Sequence, residues 1–106
     1  MKIYGELEIH DTFKITDHGI VLACKIISEN TPIIINKNDK ISFQYDNREV
    51  IRRIKGYEHG FGRNIRIEFS YLQNVAILIE CENDLEIEYL KNWIPNKTLA
   101  RLLTIE

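Results

Sequence analysis

His10, His18 and His59 stand alone in this sequence, with no H-E-x-x-H pair and no cysteine at zinc-ligand spacing, so a metal centre is not expected. Neither Cys24 nor Cys81 has a histidine close by in sequence, and no G-x-S-x-G elbow is present. A chain that is not an enzyme and carries no cofactor is therefore expected. Catalysis would need a cluster assembled in space, inside a deep polar cleft. Glu80, Glu82, Asp84, Glu86 and Glu88 recur at every second residue and invite a calcium reading, since hard cations take several carboxylates. The spacing fails as an EF-hand loop, and alternate residues on one strand face stand about 6–7 Å apart, too far to share one ion. The row reads as solvent-facing charge that discourages edge pairing.

The stretch Gly56 to Asn64 is the longest loop signal, and its segment Tyr57-Glu58-His59-Gly60-Phe61-Gly62-Arg63 is the expected contact site. Its glycines permit unusual turns, and Tyr57 and Phe61 supply the rigid aromatic area common in interface anchors. Arg52, Arg53, Arg63 and Arg66 would ring it with positive charge, and His59 lies within it. The plainer alternative is a hairpin loop whose aromatics tuck onto the end of the fold. Residues 48–66 hold six bases against two acids, a balance of +4, whereas residues 67–106 hold three bases against seven acids, a balance of −4. The whole chain is −2, which argues against an obligate nucleic-acid binder.

The elements that must position these residues read as strands. Tyr4 to Ile9 alternates, and Phe13 to Ile26 forms a hairpin about Asp17-His18-Gly19, with Gly19 where a positive φ is least costly. Ile33 to Ile35 is a short piece behind Pro32, and Asn36 to Asp39 is a turn. Ile41 to Tyr45 and Arg48 to Lys55 flank a tight Asp46-Asn47 turn. Along the second of these, Val50, Arg52 and Ile54 share one face, and which face points inward stays open. Ile65 to Tyr71 alternates as a half-buried strand, Val75 to Ile79 continues the core, and Asn83-Asp84 turns the chain between two strands. Thr98 to Ile105 fits a last strand or a short helix equally. Trp93, beside Ile94 and Pro95, reads as a plug over the bottom of the fold. Short strands at 8–12-residue spacing imply a single all-β domain over residues 1–106, a closed or partly open antiparallel Greek-key barrel or a sandwich.

The order of these signals resembles the second, β-barrel domain of the translational GTPases, elongation factor Tu and its relatives. There an F-x-I-x-G-R-G-x-V-x-x-G hairpin leads to a Gly-Asp turn, and Phe13, Ile15, Gly19 and Val21 stand in matching places. Asn38-Asp39-Lys40-Ile41 stands for the Gly-Asp turn and its strand. Val75 to Glu80 resembles a later strand, and Leu85 to Glu88 the segment after it. Asp17-His18 departs from the Gly-Arg of the family, Asn38 replaces a glycine, and the later Arg-Gly turn is missing near Leu90-Lys91. The resemblance spans roughly residues 6–95 and implies the barrel; with no G-x-x-x-x-G-K-[ST] in the chain, it implies no GTP binding.

No apolar run approaches the ~20 residues needed to span a bilayer, and the start MKIYGELEIHD lacks a secretory pattern. A cytoplasmic, bacterial chain with two free thiols, each inside a strand, and no membrane partner is expected. The expected function is a stand-alone barrel that binds a protein partner, with a toxin-neutralising, immunity-type protein presenting the Glu80 to Glu88 row as one form of it. The alternative is an RNA- or ribosome-associated module using the basic 48–66 segment.

Overall fold

The computed structural model describes residues 1–15, 19–58 and 68–104. The chain contributes β1 (Lys2–Ile15), β2 (Gly19–Ile26), β3 (Ile33–Ile34), β4 (Lys40–Tyr45), β5 (Arg48–Glu58), β6 (Glu68–Phe69), β7 (Asn74–Ile79), α1 (Asp84–Lys91) and β8 (Thr98–Thr104). Six strands close into an antiparallel barrel in the order β1-β2-β7-β5-β4-β8, and β3 pairs with β6 outside that ring. The neighbours β4, β5 and β7 are followed by β8, which returns to lie beside β4; this is a Greek key. Closure leaves the six strands without an open edge over their shared length.

Local chemistry sets the corners. Asp46 and Asn47 have φ of 53° and 62°, the pair of left-handed residues that a two-residue hairpin matched to strand twist requires. Gly19 opens β2 at φ 113°, as its place at the end of the first hairpin predicts. The residues of that turn, 16–18, lie outside the described ones. Period-2 burial then follows: in β2, Ile20, Leu22, Cys24 and Ile26 face inward, and in β7, Val75, Ile77 and Ile79 do the same. Ile41 and Phe43 of β4, Ile54 of β5, and Ala100 and Leu102 of β8 complete the barrel interior. The register aligns Ile41 with Arg52 and Phe43 with Val50, so Arg52 shares the inner face of β5 with Val50 and Ile54. That resolves which face of β5 points inward.

The two ends are capped differently. At one end Phe69 is fully buried and meets Tyr57 edge-on at 5.5 Å. Gly5 makes room there: a Cβ on it would lie 3.0 Å from both Ile33 Cδ1 and Leu102 Cδ1. At the other end Leu90 of α1 and Trp93 pack on the core, and Thr12 Oγ1 donates to the Leu90 carbonyl at 2.7 Å. Trp93 stacks on Phe43 at 5.6 Å, which places it as the expected plug.

Several expectations need correction. Tyr4 to Ile9 and the first arm of the hairpin are one strand, β1, which bends at a bulge between Ile9 and Asp11. The acidic row is not a strand pair: Asp84–Lys91 is a helix, so carboxylates two apart point in different directions around it. Asn83 caps the helix instead of turning a hairpin; its side chain accepts from the Glu86 backbone N–H at 2.9 Å. Cys81 accordingly lies in the connection between β7 and α1, outside any strand, and is only half-buried, while Cys24 sits buried in β2. The segment open between strand and helix near the C-terminus is strand β8 over Thr98–Thr104. Of the strand expected from Ile65 to Tyr71, the described part is Glu68–Phe69; Tyr71 sits in a turn, exposed, and residues 65–67 lie outside the described ones. Among the described residues, no helix is long and apolar enough to cross a membrane.

Candidate functional site

The basic segment and the acidic row, expected as two separate faces, meet each other at the α1 end of the barrel. Arg52 reaches from the inner face of β5 to Glu86 of α1 and holds it with two bonds, Nε to Oε1 at 2.8 Å and Nη2 to Oε2. Its Nη1 donates to its neighbour's carbonyl, Ile51 O, at 2.8 Å, and Glu82 approaches Nη2 at 3.4 Å. Both side chains of the Arg52–Glu86 pair are only 16% exposed. A fork-on-fork pair of this kind fixes orientation as well as distance. Hydrogen bonding to Arg52 holds the Glu86 carboxyl below the usual range, and the same bond strengthens the guanidinium charge.

Glu86 has a second task. Its Oε1 also accepts from the Glu82 backbone N–H at 3.2 Å, so it reaches back across the helix start that Asn83 caps from the other side. This is a capping box shifted by one residue. Asp84 and Glu86 in the first turn, and Lys91 in the last, complement the helix dipole. On the outer face of β5, Arg53 is taken up by Asn38 Oδ1 and Glu80. Lys14 of β1 binds Glu88 at 2.9 Å and ties α1 to a further strand.

Between α1 and the β4–β5 hairpin these contacts leave an open cleft of about 330 Å³, with Tyr45, Val50, Leu85 and Tyr89 on its walls and the Arg52–Glu86 pair at its floor. Leu85 is 61% exposed and Tyr89 is 55% exposed, one helical turn apart on the outward side of α1. Tyr45 is anchored edge-on to Trp93 at 5.4 Å. Burial first, and then the nearby Asp46 carboxylate, raise the Tyr45 phenol above its ordinary range. The cleft therefore offers exposed aromatic and aliphatic area, with Tyr45 held in place, around a neutralised ion pair.

The sequence-predicted site is only partly brought together. Arg52 and Arg53 lie on opposite faces of β5, each engaged by a carboxylate, and Tyr57 packs on Phe69 at the far end of the barrel. His59, Phe61, Arg63 and Arg66 lie outside the described residues. Of the cleft residues, Glu86 was expected only as one of the solvent-facing acidic row, and Tyr45, Leu85 and Tyr89 were not expected at a site. Their signal was present as Asn83-x-x-Glu86 ahead of Ile87 and Leu90, a helix start hidden by the alternation of acids.

Other chemically able groups are placed without a common focus. Burial raises the Cys24 thiol strongly, and burial with the adjacent Glu86 carboxylate pushes Cys81 up to about 11. The Tyr4 hydroxyl is closed off from solvent without a hydrogen bond of ordinary geometry, and the Asp39 carboxylate lies close enough to help raise it. No group of three or more His, Cys, Asp or Glu side chains able to hold a metal occurs among the described residues. No protein-family model matches the chain, and comparison with curated proteins and with solved structures gives no match.

Proposed function

We propose that this chain is a non-enzymatic, cytoplasmic binding module whose α1–hairpin cleft docks a protein partner. The observation that carries the reading is the exposure of Leu85 and Tyr89 beside Tyr45, on a helix held in place by the Arg52–Glu86 pair. Interface anchors are typically aromatic or large aliphatic side chains presented by a rigid element, and an aromatic held by a second aromatic loses little freedom on docking. Free Cys24 and Cys81 support a reducing compartment. An RNA-associated role draws less support, because Arg52 and Arg53 already spend their donors on Glu86, Ile51, Asn38 and Glu80. An immunity-type role would have to use the carboxylates that remain, since Glu80, Glu86 and Glu88 are committed to internal pairs.

The test is affinity capture with the wild-type chain and a Leu85→Ser/Tyr89→Ser variant, each with and without nuclease. The reading predicts a nuclease-resistant protein partner retained by wild type and lost by the variant. Release by nuclease, or equal capture by the variant, overturns it.

A further inference from the structure

We infer that the partner segment entering the α1–hairpin cleft is cationic, a short stretch in which an Arg or Lys adjoins an apolar side chain. This rests on the cleft being a protein-docking site and adds the chemistry of its occupant. Asp46 lies at the hairpin tip beside the cleft, Glu49 and Glu82 line it, and Asp84 opens the helix next to them. Asp46, Glu49 and Asp84 take no ion-pair partner among the described residues. Against these stand two bases on the cleft lining, Arg48 and Arg52.

Arg52 is not available to an incoming anion. Its donors already face Glu86, Glu82 and the Ile51 carbonyl. The helix start is equally closed to anions, because Asn83 caps it and two carboxylates occupy its first turn. A phosphate or an acidic peptide would thus meet Asp46, Glu49 and Asp84 against one lining base not already bonded among the described residues, Arg48. A cationic side chain meets the reverse situation. Its stem can lie along Leu85 and Tyr89 while its head reaches Glu49 or Asp84, and a guanidinium can also stack on a tyrosine face. At about 330 Å³ the cleft admits one or two side chains, not a folded element.

Trp93, the single tryptophan, stacks between the core and Tyr45 and so reports on the cleft wall. Three tryptophan-free synthetic peptides with the same Leu and Tyr positions, and with Arg/Lys, Gln or Glu between them, are titrated against the full chain by Trp93 emission. The Arg/Lys peptide is expected to bind saturably and at least about tenfold more tightly than the other two. Its affinity should fall about fivefold to tenfold in a Glu49→Gln/Asp84→Asn variant, which spares the Arg52–Glu86 pair, and fall again as salt is raised. Equal binding of the Gln or Glu peptide, no effect of E49Q/D84N, or no binding of the Arg/Lys peptide overturns the cationic assignment. Binding that survives in L85S/Y89S shows instead that the cleft is not the docking site, which is the failure of the underlying reading. Unchanged circular dichroism and melting of each variant separate loss of binding from loss of fold.

Discussion

Replacing Glu86 by Gln should loosen α1 from the barrel by an amount the geometry allows to be worked out. The carboxylate makes two bonds to Arg52, and both partners are 16% exposed, so solvent screens the pair only in part. Hydrogen bonds to charged groups contribute about 1.5–3 kcal/mol each, net of the water contacts they replace, and a partly exposed pair gains less than the sum of two. Removing one partner of a fully buried pair costs about 3–5 kcal/mol, chiefly by stranding the other charge. Here Glu82 at 3.4 Å and the Ile51 carbonyl still compensate Arg52. About 2 kcal/mol is therefore expected for E86Q, and about 2 kcal/mol for Arg52→Met, by the same offsetting of bonds and desolvation. The double variant should lose about 2 and not 4 kcal/mol, a coupling of about 2 kcal/mol. At roughly 4–8 °C per kcal/mol for a domain near this size, each single variant melts about 8–16 °C below wild type. Urea unfolding at neutral pH, followed by circular dichroism and Trp93 emission, measures all four corners of the cycle. A coupling below about 0.5 kcal/mol would refute the idea that this pair fastens the helix.

The same pair fixes a sign for pH. The folded Glu86 carboxyl titrates below its ordinary value, so its contribution is complete above about pH 4.5 and is lost as pH falls through the lower folded value. The stability gap between wild type and E86Q should accordingly narrow as pH falls below about 4.5. Gly19→Ala should cost about 1–3 kcal/mol in the same urea assay, because φ is 113° and the new Cβ would sit 3.0 Å from the Ile79 carbonyl oxygen. Asn83→Ala should cost about 1 kcal/mol and Asn83→Asp nearly nothing, since only the first removes the oxygen that caps α1. A thiol reagent at pH 8 should label Cys81 slowly, with about a thousandth of it ionised, and leave Cys24 untouched until urea unfolds the barrel.

The barrel was legible in the sequence because its signals are local. Alternation along β4, the nearly continuous apolar runs of β2 and β7, the Asp46-Asn47 pair and Gly19 each declare themselves within a few residues. The continuity of β1 was not, because the bulge at Ile9 and Asp11 breaks the alternation that a single strand would otherwise show. The helix was lost for a different reason. Glu80 and Glu82 precede it, and their phase runs into Asp84, Glu86 and Glu88, so a period of 2 overlay a period of 3.6 across a few turns. The candidate site was the least legible part, since it depends on Arg52 meeting Glu86 across 34 positions. Single-sequence patterns carry no such pairing: charge counting sees a basic stretch and an acidic one, and closure of the barrel is what brings them together.

Hydrogen–deuterium exchange of the chain, free and with the protein partner proposed for the cleft, tests that proposal directly. A partner docked in the cleft gives new protection over Tyr45 to Arg52 and over Glu82 to Trp93, the two walls of the cleft. Protection confined to other segments, such as the Phe13 to Val21 hairpin or residues 59–67, with the cleft walls unchanged, would contradict it.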